Sequence, residues 1–369
     1  MSPDYTPEQT TFFFSMLTNL AGGMEGTPEE IEQFVGGRLD VHLRASVADI
    51  GVWTRVWGPA VYQAPLSRVA DNVMYVVRRA ETPPRLVAAI AGTNGASAFD
   101  VLIEDLYVNN LVPWQYGHPR PGTDPRISVG TFVGLTALQC LAPGPGMPGA
   151  NQRLPAFLGA ALDRPMDVTI TGHSLGGTLS VTLALWLLDT QAFWDPVVRA
   201  TIYCQPSAGL TAGNRDFATY YDAMLGLRTM RIYNSLDTIP HYWNDADIAR
   251  LPALYEPAIQ PDLVVDALVA AARVAASGGD YAQNNRTTPP LVGAMDSRLI
   301  NPAAPAFENF LAQAGYQHVQ EYLTLMGVTT TPETLTALNA LMGPPAAARA
   351  ATRLCARLRR RQAIPREIG

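Results

Sequence analysis

One short stretch carries residues whose types and spacing could do chemistry, Gly172-His173-Ser174-Leu175-Gly176-Gly177. A serine with glycines two residues to either side fits a tight turn between a strand and a helix, because the backbone there passes too close for a Cβ. Such a turn, the nucleophile elbow, holds the serine hydroxyl at the edge of a sheet, where it can attack a carbonyl carbon. Ser174 is therefore the predicted nucleophile. The competing interpretation is a glycine turn with a bystander serine.

The residues on both sides of this stretch favour the elbow. Val168, Thr169 and Ile170 are three consecutive β-branched residues, which is typical of a buried strand. Residues 179–188 contain no glycine or proline and enough leucine and alanine for a helix that faces the core. The order strand, turn and helix is the context that an elbow requires.

A serine hydroxyl becomes a good nucleophile only when a base takes its proton, and histidine is the usual base because its pKa lies near neutrality. The chain has five histidines. In elbow enzymes the acid and then the histidine follow the serine along the chain. His42 and His118 precede Ser174, and His173 adjoins it on the wrong side of the turn. His241 and His318 remain as candidate bases.

His318 is the favoured base. An apolar stripe at positions 307, 310, 311 and 314 predicts a helix that ends at Gly315. His318 would then lie in a loop between two helices, where its side chain can reach another part of the fold. His241 follows the best candidate acid, Asp237, by only four residues, which leaves little room for an acid, a base and a nucleophile in line.

Asp237 is the favoured acid because it closes the strand predicted for residues 229–233. A strand end holds a carboxylate rigidly, and orienting an imidazole demands such rigidity. Asp245 and Asp247 lie further along in a predicted loop.

An oxyanion hole needs two N–H donors aimed at the charge that develops on the substrate oxygen. Leu175, directly after the serine, would supply one backbone N–H. The other is expected from Thr93, in a Gly-led turn after the second strand of an antiparallel pair predicted for residues 72–78 and 85–91.

Two further segments are apolar. Phe99, Leu102, Ile103 and Leu106 have the spacing of one helical face, either an ordinary packed helix or a lid over an apolar site. A very apolar helix is predicted at 263–276, within a segment expected to pack over the site.

The composition narrows the function further. Of 369 residues, 48% are hydrophobic and 16% are charged, which describes a folded globular chain. The net charge of −6 argues against nucleic acid as a partner. Three widely spaced cysteines indicate neither a disulfide framework nor a metal site, and no phosphate loop or dinucleotide fingerprint occurs. The expected enzyme needs no cofactor.

Without a secretory signal or transmembrane stretch, the cytoplasm is the default compartment, and signal-less export stays open.

We predict three regions: a helical N-terminal lead-in at 1–71, an α/β domain at 72–327 with a lid at about 94–126 and a helical insertion at about 244–288, and a basic helical extension at 328–369. The extension is rich in arginine. It would be a surface helix, an oligomer contact, or a helix that adheres to an anionic membrane surface. The oligomeric state is not predicted.

The stretch from residue 72 to residue 325 resembles the class 3, fungal-type lipases of the α/β-hydrolase fold. The elbow at 171–177 matches the family's T-G-H-S-L-G-G. Other matching elements are the turn Gly92-Thr93, the lid segment 96–106, residues 205–209, the Asn234, Asp237 and Pro240 element, and the His318, Glu321 and Tyr322 element.

The resemblance implies a mostly parallel central sheet flanked by helices, with a lid and helical insertions. It also implies a lipase that acts on acylglycerol esters through Ser174, Asp237 and His318 and an acyl-enzyme intermediate. The apolar stripe at positions 99–106 and the apolar insertion favour medium to long acyl chains, because burial of alkyl surface gives chain selectivity. The alternatives are an esterase or phospholipase, a thioesterase or acyltransferase with the same triad, and a catalytically silent binding protein on the same fold.

Overall fold

The central feature of the computed structural model, which describes residues 4–65, 67–79, 84–91 and 108–329, is a five-stranded sheet. Its strands, in spatial order, are β1 (Trp53–Tyr62), β2 (Asn72–Arg79), β3 (Arg85–Ile90), β6 (Met166–His173) and β7 (Ala200–Ser207). β2 runs antiparallel to both β1 and β3, whereas β3, β6 and β7 are parallel to one another. Two short strands, β4 (Leu111–Pro113) and β5 (Arg126–Ser128), pair separately.

Helices surround this sheet. They are α1 (Pro7–Leu17), α2 (Pro28–Ala45), α3 (Val47–Ile50), α4 (Val129–Cys140), α5 (Leu154–Ala161), α6 (Leu175–Asp189), α7 (Gln191–Trp194), α8 (Arg215–Leu225), α9 (Asp245–Ile248), α10 (Leu263–Ala276), α11 (Ala306–His318) and α12 (Gln320–Met326). Both α1 and α2 begin at a threonine N-cap with proline in the first turn and a complete capping box.

Alternation along the strands places the core on both faces of the sheet. In β3, Leu86, Ala88 and Ile90 pack into one apolar cluster, together with residues of α4, α5 and α6. Val87 and Ala89 point the other way, into a second cluster with α1 and α2. Successive side chains of a strand face opposite sides, so a strand buried on both sides is apolar throughout. The result is a sheet with helices on both faces, as expected for an α/β protein.

The sheet is mixed rather than mostly parallel among the described residues, because two of its four pairings are antiparallel. The segment predicted as a strand at 229–233 continues the parallel side, but only through isolated bridges from Thr229 to Cys204 and from Ile232 to Ser207. The predicted antiparallel pair is confirmed as β2 and β3, with Met74 opposite Ile90.

The structure corrects two expectations. The first 71 residues contain the strand β1 as well as helices, whereas only helices are predicted there. Gly315 does not end the helix before His318, because α11 runs through Gly315 to His318 and breaks at Val319 (φ −126°, ψ −70°). A glycine inside a helix costs about 1 kcal/mol, which tertiary contacts readily outweigh.

Several predicted features lie outside the described residues: Thr93, the lid residues Phe99, Leu102, Ile103 and Leu106, and the extension beyond residue 329. The later part of the predicted lid segment is described, and there Trp114 is buried and donates a hydrogen bond to Asp189 (2.8 Å). In the described ranges, no helix combines the length and apolar character needed to cross a membrane.

Candidate active site

The elbow at Ser174 connects β6 directly to α6. Ser174 has a φ of 60° and a ψ of −128°, a backbone conformation that L residues rarely adopt and that recurs at functional sites. Its N–H donates to the Ser207 carbonyl on β7 (3.0 Å), and its own carbonyl accepts from the Gly177 N–H (2.9 Å). A Cβ on Gly172 would meet the Gly176 carbonyl. The turn is therefore tight enough to require glycine, as the sequence predicts.

The carboxyl ends of three parallel strands meet at this edge. Ile90 of β3 lies opposite Gly172, and His173 of β6 lies opposite Ser207. Leu175 is the first residue of the 15-residue helix α6, so its N–H has no partner within the helix and lies at the positive end of the helix dipole. The predicted Gly92-Thr93 turn follows Ile90 by two residues in the sequence and lies outside the described residues.

Asp237 and His318 are hydrogen-bonded, although 81 residues separate them. His318 Nδ1 lies 2.9 Å from Asp237 Oδ2, and both side chains are buried. A carboxylate only accepts, so Nδ1 carries the proton in this pair. His318 Nε2 is buried and hydrogen-bonds to no described group. In a neutral imidazole of this tautomer, Nε2 has a free lone pair and can accept a proton.

Two further donors hold the Asp237 carboxylate. The Ile239 N–H donates to Oδ1 (3.0 Å), and the Tyr322 hydroxyl donates to Oδ2 (2.9 Å). Tyr322 in turn accepts a hydrogen bond from the Asn234 N–H (2.9 Å). Burial raises the pKa of the Tyr322 hydroxyl well above its ordinary value, and the nearby Asp237 charge adds to the shift. The phenol therefore stays protonated and remains a donor.

A buried amide network fixes the end of α11, which carries His318. Asn234 Nδ2 donates to both the backbone carbonyl (3.0 Å) and the side-chain Oε1 (2.7 Å) of Gln317. Gln317 Nε2 donates to the Ala294 carbonyl (2.6 Å). Glu321, one turn further on, accepts from the Ala294 N–H (2.9 Å) and the Tyr316 hydroxyl (2.9 Å). Asn234 thus connects the two sides of the pair, because it bonds both to Tyr322, which donates to Asp237, and to Gln317, which precedes His318.

His241 lies nearby but does not hydrogen-bond to Asp237. Burial lowers its pKa below the ordinary value, against the opposing effect of the Asp237 charge. Its Nε2 makes no hydrogen bond with any described group. Of the two candidate bases, the structure brings His318 and not His241 to the carboxylate.

An apolar cluster, here called the cap cluster, flanks the elbow. It combines buried residues of α10 and α11 with those of the loop after Asp237, including Val265, Val269, Ile239, Tyr242 and Phe310. Leu175 is partly buried and packs against this cluster. The inner face of the predicted insertion helix, confirmed at Leu263–Ala276, therefore belongs to the surroundings of the candidate nucleophile.

Sequence reasoning named some of these residues without their contacts. Tyr322 is predicted only as the aromatic residue that follows the histidine in the family pattern, and Gln317 only as part of a loop without a role in the site. His173 was set aside as a base, yet its ring is buried between the elbow and His318. The position of His173 directly before Ser174 is the one signal in the sequence that points to this contact.

Comparisons with known proteins match the chain to lipases. The family model described as Lipase (class 3) matches residues 150–246. The solved structure of M37 lipase is 34% identical and has a TM-score of 0.81, with 90% of this chain and 96% of that chain covered.

More distant structures also match. Lipase II from Rhizopus niveus is 19% identical (66% of this chain, 78% of that chain, TM-score 0.43), and a lipase from Rhizopus microsporus var. chinensis is 18% identical (66% and 72%, TM-score 0.42). No curated protein sequence matches the chain. The family match and the likeness to M37 lipase along nearly the whole of both chains establish that the chain belongs to the class 3 lipase family, as a serine hydrolase of the α/β-hydrolase fold.

Proposed function

We propose that Ser174, His318 and Asp237 are the catalytic residues of this lipase. Ser174 Oγ attacks the ester carbonyl carbon while His318 Nε2 takes the hydroxyl proton. The imidazolium then gives that proton to the leaving alcohol, and an acyl-enzyme remains. Water, activated by the same imidazole, releases the fatty acid and restores Ser174. Asp237 orients His318 and stabilises its charged form.

The oxyanion formed in each half-reaction is stabilised by the Leu175 N–H and by Thr93. The first N–H of α6 needs a partner outside the helix, and a developing negative charge satisfies it. Thr93 remains a prediction from the sequence. The pairing of Ile90 with Gly172 supports it, because Thr93 follows Ile90 by three residues in the sequence and Gly172 precedes Ser174 by two.

The hydrogen bond from His318 Nδ1 to Asp237 (2.9 Å) is the observation that carries this proposal. It fixes the tautomer in which Nε2 is the basic nitrogen. His318 Nε2 makes no hydrogen bond with Ser174 Oγ or any other described group. In this proposal the Ser174 bond forms when substrate binds, because catalytic hydrogen bonds are often long in free enzymes.

The test is turnover of a p-nitrophenyl ester together with labelling by a fluorophosphonate. Ser174→Ala and His318→Ala are each expected to lower kcat by at least about 10³-fold, because removing one triad member leaves little more than binding and the oxyanion hole. His118→Ala, which removes an exposed histidine, is the control and should keep wild-type turnover. Wild-type turnover in either triad variant, or a wild-type protein that does not label, would contradict the proposal.

We also propose esters of medium to long acyl chains as substrates. The cap cluster beside Leu175 offers apolar surface to an alkyl chain, and burial of each CH₂ contributes about 0.8 kcal/mol. A series of p-nitrophenyl esters from short to long should therefore show kcat/KM rising by up to about fourfold per CH₂. A flat series, or one that falls beyond acetate, would indicate a small-ester esterase instead.

We propose further that the lid residues and the basic extension contact a lipid surface. We also propose a cytoplasmic location. Both rest on the sequence patterns alone.

A further inference from the structure

We propose that His173 is a positioning residue that ties the nucleophile elbow to the backbone of His318 and so sets the separation of Ser174 from its base. This inference rests on the proposed roles of Ser174 and His318.

The first observation is a hydrogen bond between the two histidines. His173 Nε2 lies 2.8 Å from the backbone carbonyl oxygen of His318, and both groups are buried. A carbonyl only accepts, so His173 donates and carries its proton on Nε2. The His318 carbonyl belongs to the last turn of α11 and has no acceptor role within that helix. The ring of His173 supplies the missing partner.

The second observation is the covalent position of His173. It is the last residue of β6 and directly precedes Ser174. Its Nδ1 lies 3.2 Å from Ser207 Oγ, which also donates to the Gly172 carbonyl (3.0 Å). With the proton on Nε2, Nδ1 is an acceptor, and the single Ser207 hydrogen is shared between the two. The ring is thus held on one side by β7 and holds α11 on the other.

The third observation is the contact between rings. The centroids of His173 and His318 lie 4.8 Å apart, and Tyr322, the donor to Asp237, packs edge-on against His173 at 5.3 Å. A positive charge on His173 would oppose protonation of His318. Burial lowers the pKa of His173 well below its ordinary value, and the nearby His318 lowers it further. His173 therefore stays neutral while His318 gains and loses its proton.

The test compares two amides at position 173. The amide nitrogen of glutamine reaches the place of Nε2 and can still donate to the His318 carbonyl, whereas that of asparagine reaches only the place of Nδ1. We expect His173→Asn to lower kcat by about 10- to 100-fold with KM unchanged, because a small misplacement of reacting groups costs that much. His173→Gln should retain kcat within about threefold. Rates are given per active site titrated with the fluorophosphonate, so that lost folding is not counted as lost catalysis.

His42→Gln, which removes a different buried histidine, is the matched control and should leave kcat per titrated site unchanged. Equal kcat in His173→Asn and His173→Gln, whether both high or both low, would overturn the proposal. A merely structural role would change the unfolding midpoint of both variants and leave kcat per site as in the wild type.

A measurement on the wild-type protein keeps the inference testable if the asparagine variant does not fold. With ¹⁵N-labelled histidine rings, the His173 signal, identified by its loss in His173→Gln, should show a neutral ring protonated on Nε2 between about pH 5 and 8. A proton on Nδ1, or titration in that range, would refute it. If Ser174→Ala and His318→Ala stay active, the proposed function itself fails, whereas their inactivity together with a fully active His173→Asn defeats only this inference.

Discussion

At the scale of single residues, Tyr322 connects catalysis to stability. Its hydroxyl is the only side-chain hydroxyl that hydrogen-bonds to Asp237 in the described part of the chain, and it also satisfies the buried Asn234 N–H. The carboxylate oxygen that it contacts is the one that accepts from His318. Removing this hydroxyl would leave the buried Asn234 N–H without this partner and the Asp237 carboxylate with one donor fewer. A buried polar group that loses its hydrogen-bond partner costs the free energy of its desolvation.

Tyr322→Phe should therefore lower the free energy of unfolding by about 1–3 kcal/mol, measured by urea denaturation with tryptophan fluorescence. Tyr5→Phe is the control, because the Tyr5 hydroxyl bonds to Thr329 in an exposed place; its effect should stay within about 0.5 kcal/mol. If both variants lose the same free energy of unfolding, the Tyr322 contact with Asp237 stabilises the protein no more than an exposed hydroxyl contact does.

At the scale of elements, close backbone approach explains the elbow. A Cβ on Gly177 would meet the Ser207 carbonyl at the end of β7, and Gly209 Cα would lie 3.2 Å from it. The glycines thus let α6 begin directly against β7, with its first N–H groups at the sheet edge. This spacing is local and readable from sequence, because it depends on sterics within a few residues.

The end of α11 shows the opposite case. A glycine at position 315 suggested a helix end there, but the helix continues three residues further to His318. Contacts from Asn234 to Gln317 and from Asp237 to His318 decide where it stops. These partners come from a distant part of the chain, and no local pattern around Gly315 contains them.

At the scale of the whole molecule, α1 contributes buried side chains to the core. Its Phe12 is fully buried and stacks on Tyr322 at 6.5 Å, with an edge contact to His173 at 6.4 Å. Phe14 offers its backbone carbonyl to the buried Tyr75 hydroxyl on β2 (2.6 Å). The first helix of the chain therefore supports residues that surround His318. The domain boundary predicted at residue 71 stays a prediction.

Phe12→Ala is expected to lower the free energy of unfolding by about 3–5 kcal/mol, through lost burial and the cavity left behind. Phe193→Ala, at a ring that is 89% exposed, should change it by less than about 0.5 kcal/mol. Denaturant midpoints, with the slope checked for constancy, measure both. If Phe12→Ala hardly changes the free energy of unfolding, the remaining part of the protein is stable without the packing of α1.

The sequence by itself determined the features that depend on near neighbours. The elbow around Ser174 follows from glycine spacing, and the α/β layering follows from apolar strands and capped helices. It also narrowed the base to His241 or His318, through chain order and the position of His173 directly before Ser174. These features rest on sterics and periodicity over a few residues, which a sequence displays directly.

Only the tertiary structure decided how distant residues meet. The hydrogen bond of His318 to Asp237, the Tyr322 hydroxyl on the same carboxylate and the bond from His173 to the His318 carbonyl join segments that lie far apart in the chain. The antiparallel edge strand β1 is likewise defined by its pairing with β2. These contacts form because a buried polar group must find a hydrogen-bond partner. Which partner is within reach depends on how the sheet and its helices are assembled.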